Sequence, residues 1–395
     1  MTTAEFREKS IELNKTLSKD IRQEEGIYFT PKKVRERLFE VLDTYEIKPR
    51  VILEPSFGSG EFLYDSREKY PESKLIGIEK NETLYTSLKT EDLEKCEVEC
   101  CDFLEWKGKA DLIVGNPPYF ILPSSAKLKK KYSSCMVGRP NIYILFLYKC
   151  LENHLEENGT LAFIIPTSLY NCSYYEPMRE YIVENTTILH VETMNKPGFY
   201  ETDQDVMLLV VKKTKCKKQN YCFRAKNGRL YISPDAEELY ALTENTKTLE
   251  ELGLGVKTGS VVWNQVKEKL SDDPTDTLLL YSSNLKKNKL VFEPLKGGKK
   301  QYVKGIDKQK LSGPVGLVER GYGNSYRFNS VYVEHLENFY AENHLNVIYA
   351  KDKESEKNIK EAMERMKSER TMRFIELCIG SGSVSATDLE TLVPL

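Results

Sequence analysis

The sequence predicts an α/β protein built on a doubly wound, mostly parallel sheet, followed by a second and less regular α+β domain. In the first half of the 395 residues, short apolar runs that end in polar, Gly or Pro residues alternate with helix-length segments. Buried parallel strands have this pattern, and their alternation with helices is typical of βαβ units. Near residue 214 the alternation gives way to Gly-rich turns and short β-like runs. We therefore expect two domains, 1–214 and 215–395.

The elements of the first domain follow at regular intervals. Parallel strands are predicted at Val51–Glu54, Leu75–Glu79, Asp111–Gly115 and Leu161–Pro166. Helices are predicted at Glu61–Lys69, Asn81–Lys95 and Ile142–Glu157. An antiparallel pair that closes one edge of the sheet is predicted at Thr187–Thr193 and Gln204–Lys213. In a sheet of this kind, ligands bind at the carboxyl ends of the strands.

The second domain shows weaker patterns. Short strands are predicted at Thr277–Tyr281, Val315–Val318 and Ser330–Val333. A charged segment at 351–370 predicts a helix with a solvated face.

Composition and charge exclude several classes of protein. Lys and Arg number 58 against 60 Asp and Glu, so the chain is not a globally basic nucleic-acid binder, although local basic faces remain open. Nine cysteines without a CxxC pair and four scattered histidines predict reduced thiols and no metal site. No apolar run approaches the roughly 18 residues that cross a bilayer, and the N-terminus lacks a signal-peptide pattern. We expect no membrane partner and a soluble protein, cytoplasmic or intracellular in a virus-infected host.

A Gly-x-Gly turn follows the first strand. Gly58 and Gly60 would let the backbone pass close to a nucleotide-like ligand. Glu79 ends the next strand, where a carboxylate can accept both hydrogen bonds of a ribose diol. No Gly-Lys-Ser/Thr follows the turn, which excludes a phosphate loop, and the third glycine of a dinucleotide motif would fall at Leu63.

An acidic residue precedes this turn. Glu54-Pro55 precede it, and an anion there would repel a pyrophosphate but suit a cationic sulfonium or ammonium group. This favours S-adenosylmethionine as the ligand. Asp102-Phe103 is a third candidate contact, because the Asp can accept from an adenine amino group while the Phe packs on the ring. Asp102 would serve equally well as a loop or cap residue.

The tetrapeptide Asn116-Pro117-Pro118-Tyr119 closes the strand Asp111–Gly115. The exocyclic amino group of adenine is a poor nucleophile, because its lone pair is delocalised into the ring. Two acceptors on its N–H groups, the Asn116 side-chain oxygen and the Pro117 carbonyl, would stabilise positive charge as a methyl group arrives. The prolines fix the turn, and the Tyr119 ring offers a face on which a base can stack. A base in a duplex must be flipped out to reach such a site.

In chain order these motifs resemble the gamma class of DNA adenine-N6 methyltransferases, the restriction-modification type in which the catalytic domain precedes a target recognition domain. The resemblance implies a Rossmann-like sheet, S-adenosyl-L-methionine as the cofactor and double-stranded DNA as the substrate. The residues that it implies for cofactor binding are Tyr28, Thr30, Pro31, Glu54, Pro55, Gly58, Gly60, Glu79, Asp102, Phe103 and Asn116. The residues that it implies for catalysis are Asn116, Pro117, Pro118, Tyr119 and Phe199.

The resemblance is specific over residues 26–213 and vaguer beyond them. It implies that Thr30 and Pro31, in the segment GIYFTP, meet the methionine end of the cofactor. It places Phe199 on the second face of the flipped base, with Tyr200 as a substitute, although an ordinary packing aromatic would look the same.

Two basic stretches predict contacts to DNA. No acidic residue lies between Asp111 and Glu152, so the lysines there suit a loop on phosphates near the flipped base, or simply a solvated loop. Residues 284–327 hold eleven Lys and Arg against three acids, with aromatics interleaved, as a duplex-binding face does. The candidates are Lys129, Lys130, Lys131, Arg139, Lys286, Lys287, Lys299, Lys300, Arg320 and Arg327. Of these, Arg320 and Arg327 are the expected guanine contacts.

Other substrates fit the same tetrapeptide. The amide nitrogen of a protein glutamine is also conjugated and needs the same two acceptors, and adenine in RNA is a further alternative. The long segment 215–395 behind the catalytic domain favours duplex readout. A DNA-binding module with an inactive cofactor fold is the non-enzyme alternative. We expect a monomer, since one base is flipped per event, and a separate cognate restriction endonuclease would be its partner in a restriction system.

Overall fold

The computed structural model describes residues 5–89, 93–123, 125–138, 141–195, 197–199, 205–216, 218–321, 329–379 and 384–395. The chain divides into two compact units. The first comprises Met1–Arg224 and Leu230–Ala236, and the second comprises Ala225–Arg229 and Glu237–Leu395.

A seven-stranded sheet forms the centre of the first unit. Its strands are β1 (Val51–Glu54), β2 (Lys74–Glu79), β3 (Cys96–Cys100), β4 (Ala110–Gly115), β5 (Leu155–Pro166), β6 (Thr187–Met194) and β7 (Val206–Lys212). They lie in the order β3-β2-β1-β4-β5-β7-β6. The pairs among β1 to β5 are parallel, whereas β7 runs antiparallel to both β5 and β6. This confirms the predicted doubly wound α/β sheet and its antiparallel edge.

Helices cover both faces of this sheet. The described helices of the first unit are α1 (Glu8–Thr16), α2 (Lys19–Glu25), α3 (Lys32–Asp43), α4 (Glu61–Lys69), α5 (Glu82–Lys89), α6 (Ala126–Lys131), α7 (Ile142–Lys149) and α8 (Glu176–Asn185). Side chains alternate between the faces along each strand. In β4, Ile113 belongs to the core formed with α7 and α8. Its neighbours Leu112 and Val114 belong to the core formed with α3 and α4.

Two elements of the first unit differ from their predictions. The strand β3 was not predicted, because it lies at the sheet edge and alternates with exposed glutamates instead of forming an apolar run. The helix predicted over Ile142–Glu157 ends at Lys149, a π-helical turn follows over Cys150–His154, and β5 then begins at Leu155. Asn158, with φ of 66°, lies where the register between β4 and β5 shifts. The Asn-Gly pair therefore marks a β-bulge and not a helix end.

A short hairpin explains where the first unit ends. It consists of β8 (Cys222–Arg224) and β9 (Leu230–Ile232). Cys222, Leu230 and Ile232 are buried in the core of the first unit, so the division falls after this hairpin instead of at residue 214. The functional labels of the two domains remain predictions.

The second unit combines small sheets with helices. Its elements are α9 (Ala236–Thr243), β10 (Leu254–Thr258), β11 (Leu270–Ser271), β12 (Thr277–Leu280), β13 (Leu285–Lys286), β14 (Lys289–Leu290), β15 (Tyr302–Val303), β16 (Val315–Glu319), β17 (Ser330–Val333), β18 (Tyr340–Ala341), β19 (Leu345–Ala350), α10 (Asn358–Arg365), α11 (Glu369–Cys378) and α12 (Ala386–Thr391). The described strands form the sheets β10-β19-β16-β17 and β11-β15-β12-β18 and the hairpin β13-β14. Apolar residues of β10, β16 and β19 pack against α10, α11 and α12. The predicted helix over 351–370 is two helices, because Ser368 caps the start of α11.

Three further features of the structure concern disulfides, metal-ligand groups and membrane-spanning helices. All nine cysteines are free thiols. Within the described ranges, His, Cys, Asp and Glu side chains form no group of three that could hold a metal ion. Over the same residues, no helix has both the length and the apolar character needed to cross a membrane.

Candidate active site

The turn after β1 is tied to the end of β2. Gly60 starts α4 with a left-handed φ of 80°, and a Cβ on it would lie 2.8 Å from a methyl of Leu88, so the position requires glycine. The Gly58 amide donates to Glu79 Oε2 at 2.9 Å, and the Asn81 amide donates to Glu79 Oε1 at 2.8 Å. Burial raises the pKa of Glu79, while these backbone donors oppose that shift. The carboxylate is thus held in one orientation at the carboxyl end of its strand.

Asp102 and Phe103 follow β3. Asp102 caps a short 3₁₀ helix by accepting from the Leu104 amide at 3.0 Å, and it also accepts from Lys80 Nζ at 3.0 Å. The cap alternative that the sequence left open is therefore correct, although Asp102 also lines the cavity described next. The Phe103 ring is buried and packs 4.9 Å from the Phe146 ring, centroid to centroid.

A cavity of about 520 Å³ opens at the carboxyl ends of β1, β2 and β4. This volume lies in the range of roughly 300–1,000 Å³ that is usual for small-molecule sites. It brings together many of the predicted residues, namely Tyr28, Thr30, Glu54, Pro55, Gly58, Glu79, Asp102, Phe103, Asn116 and Pro118. Five predicted residues do not line it, namely Pro31, Gly60, Pro117, Tyr119 and Phe199.

Glu54 presents a buried carboxyl to this cavity. Its side chain is 2% exposed, and its Oε2 has no hydrogen-bond partner among the described residues. Burial, assisted by the nearby Asp65 and Glu79 carboxylates, raises the pKa of Glu54 well above the ordinary range, and the Arg35 guanidinium offsets this only in part. A buried acceptor of this kind matches a cationic ligand, because a positive charge beside it would stabilise the ionised form.

Asn116 lies where β4 meets the cavity, and its side chain is held on both sides. Its Nδ2 donates to the Tyr28 carbonyl at 3.2 Å and to Thr30 Oγ1 at 3.0 Å. Its Oδ1 accepts from the Tyr119 hydroxyl. The amide is therefore oriented before any substrate is present.

The segment Gly26–Thr30 packs against the turn Asn116–Tyr119. Gly26 ends α2 with φ of 66°, and a Cβ on it would lie 2.8 Å from the Tyr119 amide nitrogen and 3.0 Å from the Phe120 ring. Only glycine allows the two backbones to approach so closely.

Tyr119 is folded back into the protein. Its hydroxyl lies near two acceptors, Asn116 Oδ1 and the Ile164 carbonyl, the latter at 2.6 Å. Its ring is nearly parallel to that of Tyr28, at 6.4 Å and 23°, and meets the edge of Tyr143 at 6.1 Å. Burial raises the pKa of the Tyr119 hydroxyl well above its usual value, so the group stays protonated and acts as a donor. To stack on a base, this ring would have to turn from its present position.

Phe199 is 6% exposed and belongs to the core that contains Val34 and Leu38. Tyr119 packs against the edge of the same core. The role of Phe199 at a base stays a prediction. Tyr200, its predicted substitute, lies outside the described residues.

Part of the cavity wall was not predicted. It is formed by Glu24, Glu25, Leu84, Cys101, Leu104, Phe120, Leu122, Ile142 and Phe146, among others. Ile142 and Phe146 come from α7, which is apolar on nearly all sides, so its sequence does not show which side chains face a ligand. Glu24 and Glu25 end α2, whose charged sequence is typical of an exposed helix.

The predicted DNA contacts of the first unit are partly described. Lys130 and Lys131 are exposed in α6, and Lys131 lies 3.5 Å from Glu105 Oε1 and over the Tyr132 ring. The Lys129 side chain and Arg139 lie outside the described part of the structure.

In the second unit, the predicted lysines surround the hairpin β13-β14 and the segment before β15. Lys287, with φ of 48°, is exposed at the hairpin turn, and Lys286 pairs with Glu293. Lys299 Nζ lies over the Trp263 and Tyr281 rings at 5.3 and 5.0 Å, and Lys300 pairs with Asp272 at 3.0 Å. Arg320 donates to the Asn343 carbonyl at 3.3 Å. Arg327 lies outside the described residues.

Comparisons with known proteins find relatives of this chain. A family model described as Eco57I restriction-modification methylase matches residues 8–199. The chain is 33% identical over 388 residues to the Type II methyltransferase M.CvrRI of Paramecium bursaria Chlorella virus XZ-6E, with 96% of each protein covered. It is 39% identical over 215 residues to the modification methylase CviBIII of Paramecium bursaria Chlorella virus NC1A, which covers 54% of this chain and 56% of that protein.

Solved structures resemble about half of the chain. One is a putative class I S-adenosylmethionine-dependent methyltransferase of Listeria monocytogenes, at a TM-score of 0.41 and 16% identity, covering 48% of this chain and 64% of that one. Another is the M protein of the Type I restriction enzyme EcoKI, at a TM-score of 0.39 and 16% identity, covering 48% and 44%.

Proposed function

Since the chain belongs to the Type II methyltransferases of restriction-modification systems, we propose that it transfers a methyl group to the N6 amino group of adenine in double-stranded DNA. One observation supports the proposal above all others. Asn116 and Pro118 of the catalytic turn line the same cavity as Glu54 and Glu79. Acceptors suited to an amino group and acceptors suited to a nucleoside cofactor therefore meet in one pocket.

S-adenosyl-L-methionine is the cofactor of this family, and the cavity fits it. The oriented Glu79 carboxylate would accept from the ribose hydroxyls, and the apolar wall at Phe103 would pack on the adenine ring. The unpartnered Glu54 carboxyl would face the cationic part of the molecule. The bound cofactor supplies an electrophilic methyl group, and the remaining chemistry belongs to the protein.

The protein would prepare the amino group of the target base. Asn116 Oδ1 and the Pro117 carbonyl would accept its two N–H groups, which favours a pyramidal nitrogen whose lone pair can attack. These acceptors are fixed in advance, so little reorganisation is needed as charge develops. The amino nitrogen gains the methyl group and afterwards loses one of its protons. The Tyr119 ring, turned out of its buried position, would stack on the base.

DNA is the substrate that the matching family favours, because its description is a restriction-modification methylase and one relative is named a modification methylase. The exposed lysines of α6 would contact phosphates near the flipped base. The second unit would supply the sequence readout. Phosphate contacts position a protein on DNA, whereas contacts to base edges specify the sequence.

The direct test is to incubate the purified protein with labelled S-adenosyl-L-methionine and unmethylated plasmid DNA, and to separate the nucleosides after digestion. We expect the label in N6-methyladenine. Label in a methylated cytosine would contradict the adenine assignment. Label absent from DNA but present in RNA or in protein glutamine would contradict the DNA assignment.

A further inference from the structure

The Asn116 side-chain amide is hydrogen-bonded to the segment that precedes α3. Both of its N–H groups have acceptors in that segment, the Tyr28 carbonyl at 3.2 Å and Thr30 Oγ1 at 3.0 Å. No proton of the amide is then left to point at the target base. The carbonyl oxygen, Oδ1, accepts from the Tyr119 hydroxyl in the free protein, and it is the atom of the amide that can accept from the base once Tyr119 turns away.

These hydrogen-bond partners also determine the orientation of the amide, that is, which end is Oδ1 and which is Nδ2. A backbone carbonyl can only accept, so the NH₂ end must face Tyr28. On the opposite side, the Tyr119 hydroxyl donates to Oδ1. If the amide turned over, Oδ1 would face the Tyr28 carbonyl oxygen and NH₂ would point towards an amino group, so that like groups would meet at both ends.

Thr30 is itself anchored. It is 4% exposed, and its carbonyl accepts from Arg35, whose guanidinium is 3% exposed. Arg35 pairs with Glu61 at 2.9 Å and with Asp65 at 2.6 Å, and both carboxylates belong to α4. The hydroxyl that holds Asn116 is thereby connected through α3 to the helix that follows the Gly turn.

We propose that Thr30 is a positioning residue for Asn116, whose Oγ1 fixes the amide so that Oδ1 faces the target amino group. This inference rests on the proposed function and differs from the contact to the methionine end of the cofactor that the family resemblance implies. Loss of Oγ1 frees one N–H of the amide and lets the side chain rotate about its last bond. The base then meets a misaligned acceptor.

The test replaces the hydroxyl without changing the shape of the side chain. Thr30→Val removes the acceptor, and Thr30→Ser keeps it. Thr186→Val is the matched control, because Thr186 is also buried and its hydroxyl donates only locally, to the Ile182 carbonyl at 2.7 Å. Each variant is assayed for the single-turnover rate of DNA adenine methylation with cofactor and DNA saturating, for cofactor Kd by calorimetry, and for Tm.

We expect Thr30→Val to slow methylation on the order of 10- to 100-fold at unchanged cofactor Kd, as misplaced reacting groups do. Thr30→Ser should restore most of the rate, and Thr186→Val should match the wild type. A valine variant with a normal saturated rate, with the loss confined to cofactor Kd, would overturn the proposal and assign Thr30 to the cofactor. A serine variant as slow as valine would also overturn it. If valine prevents folding, Thr30→Ala gives the same comparison.

The same assay separates this inference from the proposed function. A wild-type protein that makes no N6-methyladenine refutes both. A wild-type protein that makes it, with Thr30→Val equally fast, refutes the positioning role alone.

Discussion

Glu54 is a carboxyl whose neutral form is favoured both by burial and by the neighbouring negative charges. Its carboxyl has little solvent, it lies near Asp65 and Glu79, and only the Arg35 guanidinium favours its ionised form. A group whose folded pKa is raised contributes its full stability below its unfolded pKa and loses it as the pH rises through the folded pKa. The ligand-free protein should therefore lose stability at this site as the pH rises above the ordinary value of 4.5.

Glu54→Gln should remove this loss, because glutamine cannot ionise. We expect the variant to have a higher Tm than the wild type above neutral pH, and the difference to shrink as the pH falls towards 4.5. Its affinity for S-adenosyl-L-methionine should fall by roughly 10- to 100-fold, the usual cost of losing a charge-assisted hydrogen bond. Thermal melts across pH and calorimetry measure both effects. Unchanged affinity would show that Glu54 does not face the cofactor.

In the free protein the Tyr119 hydroxyl forms a buried hydrogen bond, and with substrate we propose that its ring stacks on the base. Tyr119→Phe removes a buried hydroxyl whose single proton is within reach of two acceptors, Asn116 Oδ1 and the Ile164 carbonyl, so we expect a loss of about 0.5–1.5 kcal/mol in the free energy of unfolding. Turnover should stay close to the wild type because the ring face remains. Tyr119→Ala should weaken use of the target base by about 1–3 kcal/mol. Urea melts and kcat/KM on plasmid DNA measure the two losses. If Phe impairs catalysis as severely as Ala, the hydroxyl is essential and the stacking account fails.

At the scale of elements, the segment Gly26–Thr30 and the turn at Asn116–Tyr119 form one unit although they are far apart in sequence. Their close approach depends on the absence of a side chain at Gly26 and on two hydrogen bonds to Asn116. The geometry of the catalytic turn should therefore depend on the residues in front of α3.

Gly26→Ala tests this dependence, and Gly228→Ala is its control. Both glycines have left-handed φ, at 66° and 84°, but a Cβ on Gly228 would meet nothing within 4 Å. Each variant should lose about 1–2 kcal/mol from the strained backbone. Only Gly26→Ala should also displace Tyr119 and Phe120, and we expect its methylation rate to fall about 10-fold or more. Equal rates in the two variants, compared at temperatures where both are folded, would contradict the account.

Much of the first unit could be predicted, because buried parallel strands consist of uninterrupted apolar residues. The motifs at Gly58, Glu79 and Asn116 are local and stand at strand ends, so the sheet topology alone brings them to one edge. The edge strand β3 was missed because two of its five residues, Glu97 and Glu99, are exposed glutamates that interrupt the apolar run.

What could not be predicted depends on side-chain direction. The sequence does not reveal that Tyr119 folds back onto Asn116, or that Phe199 is buried in the core, because both outcomes depend on packing across several elements. The part of the cavity wall that α7 supplies could not be predicted for the same reason. A helix that is buried on nearly all sides has no sequence pattern that distinguishes the face towards a ligand.

For the whole molecule, we expect lysines of the second unit to bind DNA. Lys287→Ala with Lys300→Ala should weaken DNA binding and reduce the salt dependence by about 0.9 in log–log slope for each phosphate that the protein no longer neutralises. The control is Lys353→Ala with Lys357→Ala, two exposed lysines of the same unit outside the predicted face. Fluorescence anisotropy at several salt concentrations measures both. If both double variants weaken DNA binding equally, the loss comes from the lower net charge of the protein and not from contacts at the predicted face.

The proposed function requires that the turn Asn116–Tyr119 direct methylation to adenine at a specific DNA sequence. The most direct measurement is single-molecule sequencing of unmethylated plasmid DNA after incubation with S-adenosyl-L-methionine and either the wild type or Asn116→Ala. We expect N6-methyladenine at one short motif with the wild type. With Asn116→Ala, we expect methylation slowed by about 100-fold or more while the cofactor still binds. Unmodified DNA with the wild type, or full methylation with the variant, would contradict the claim.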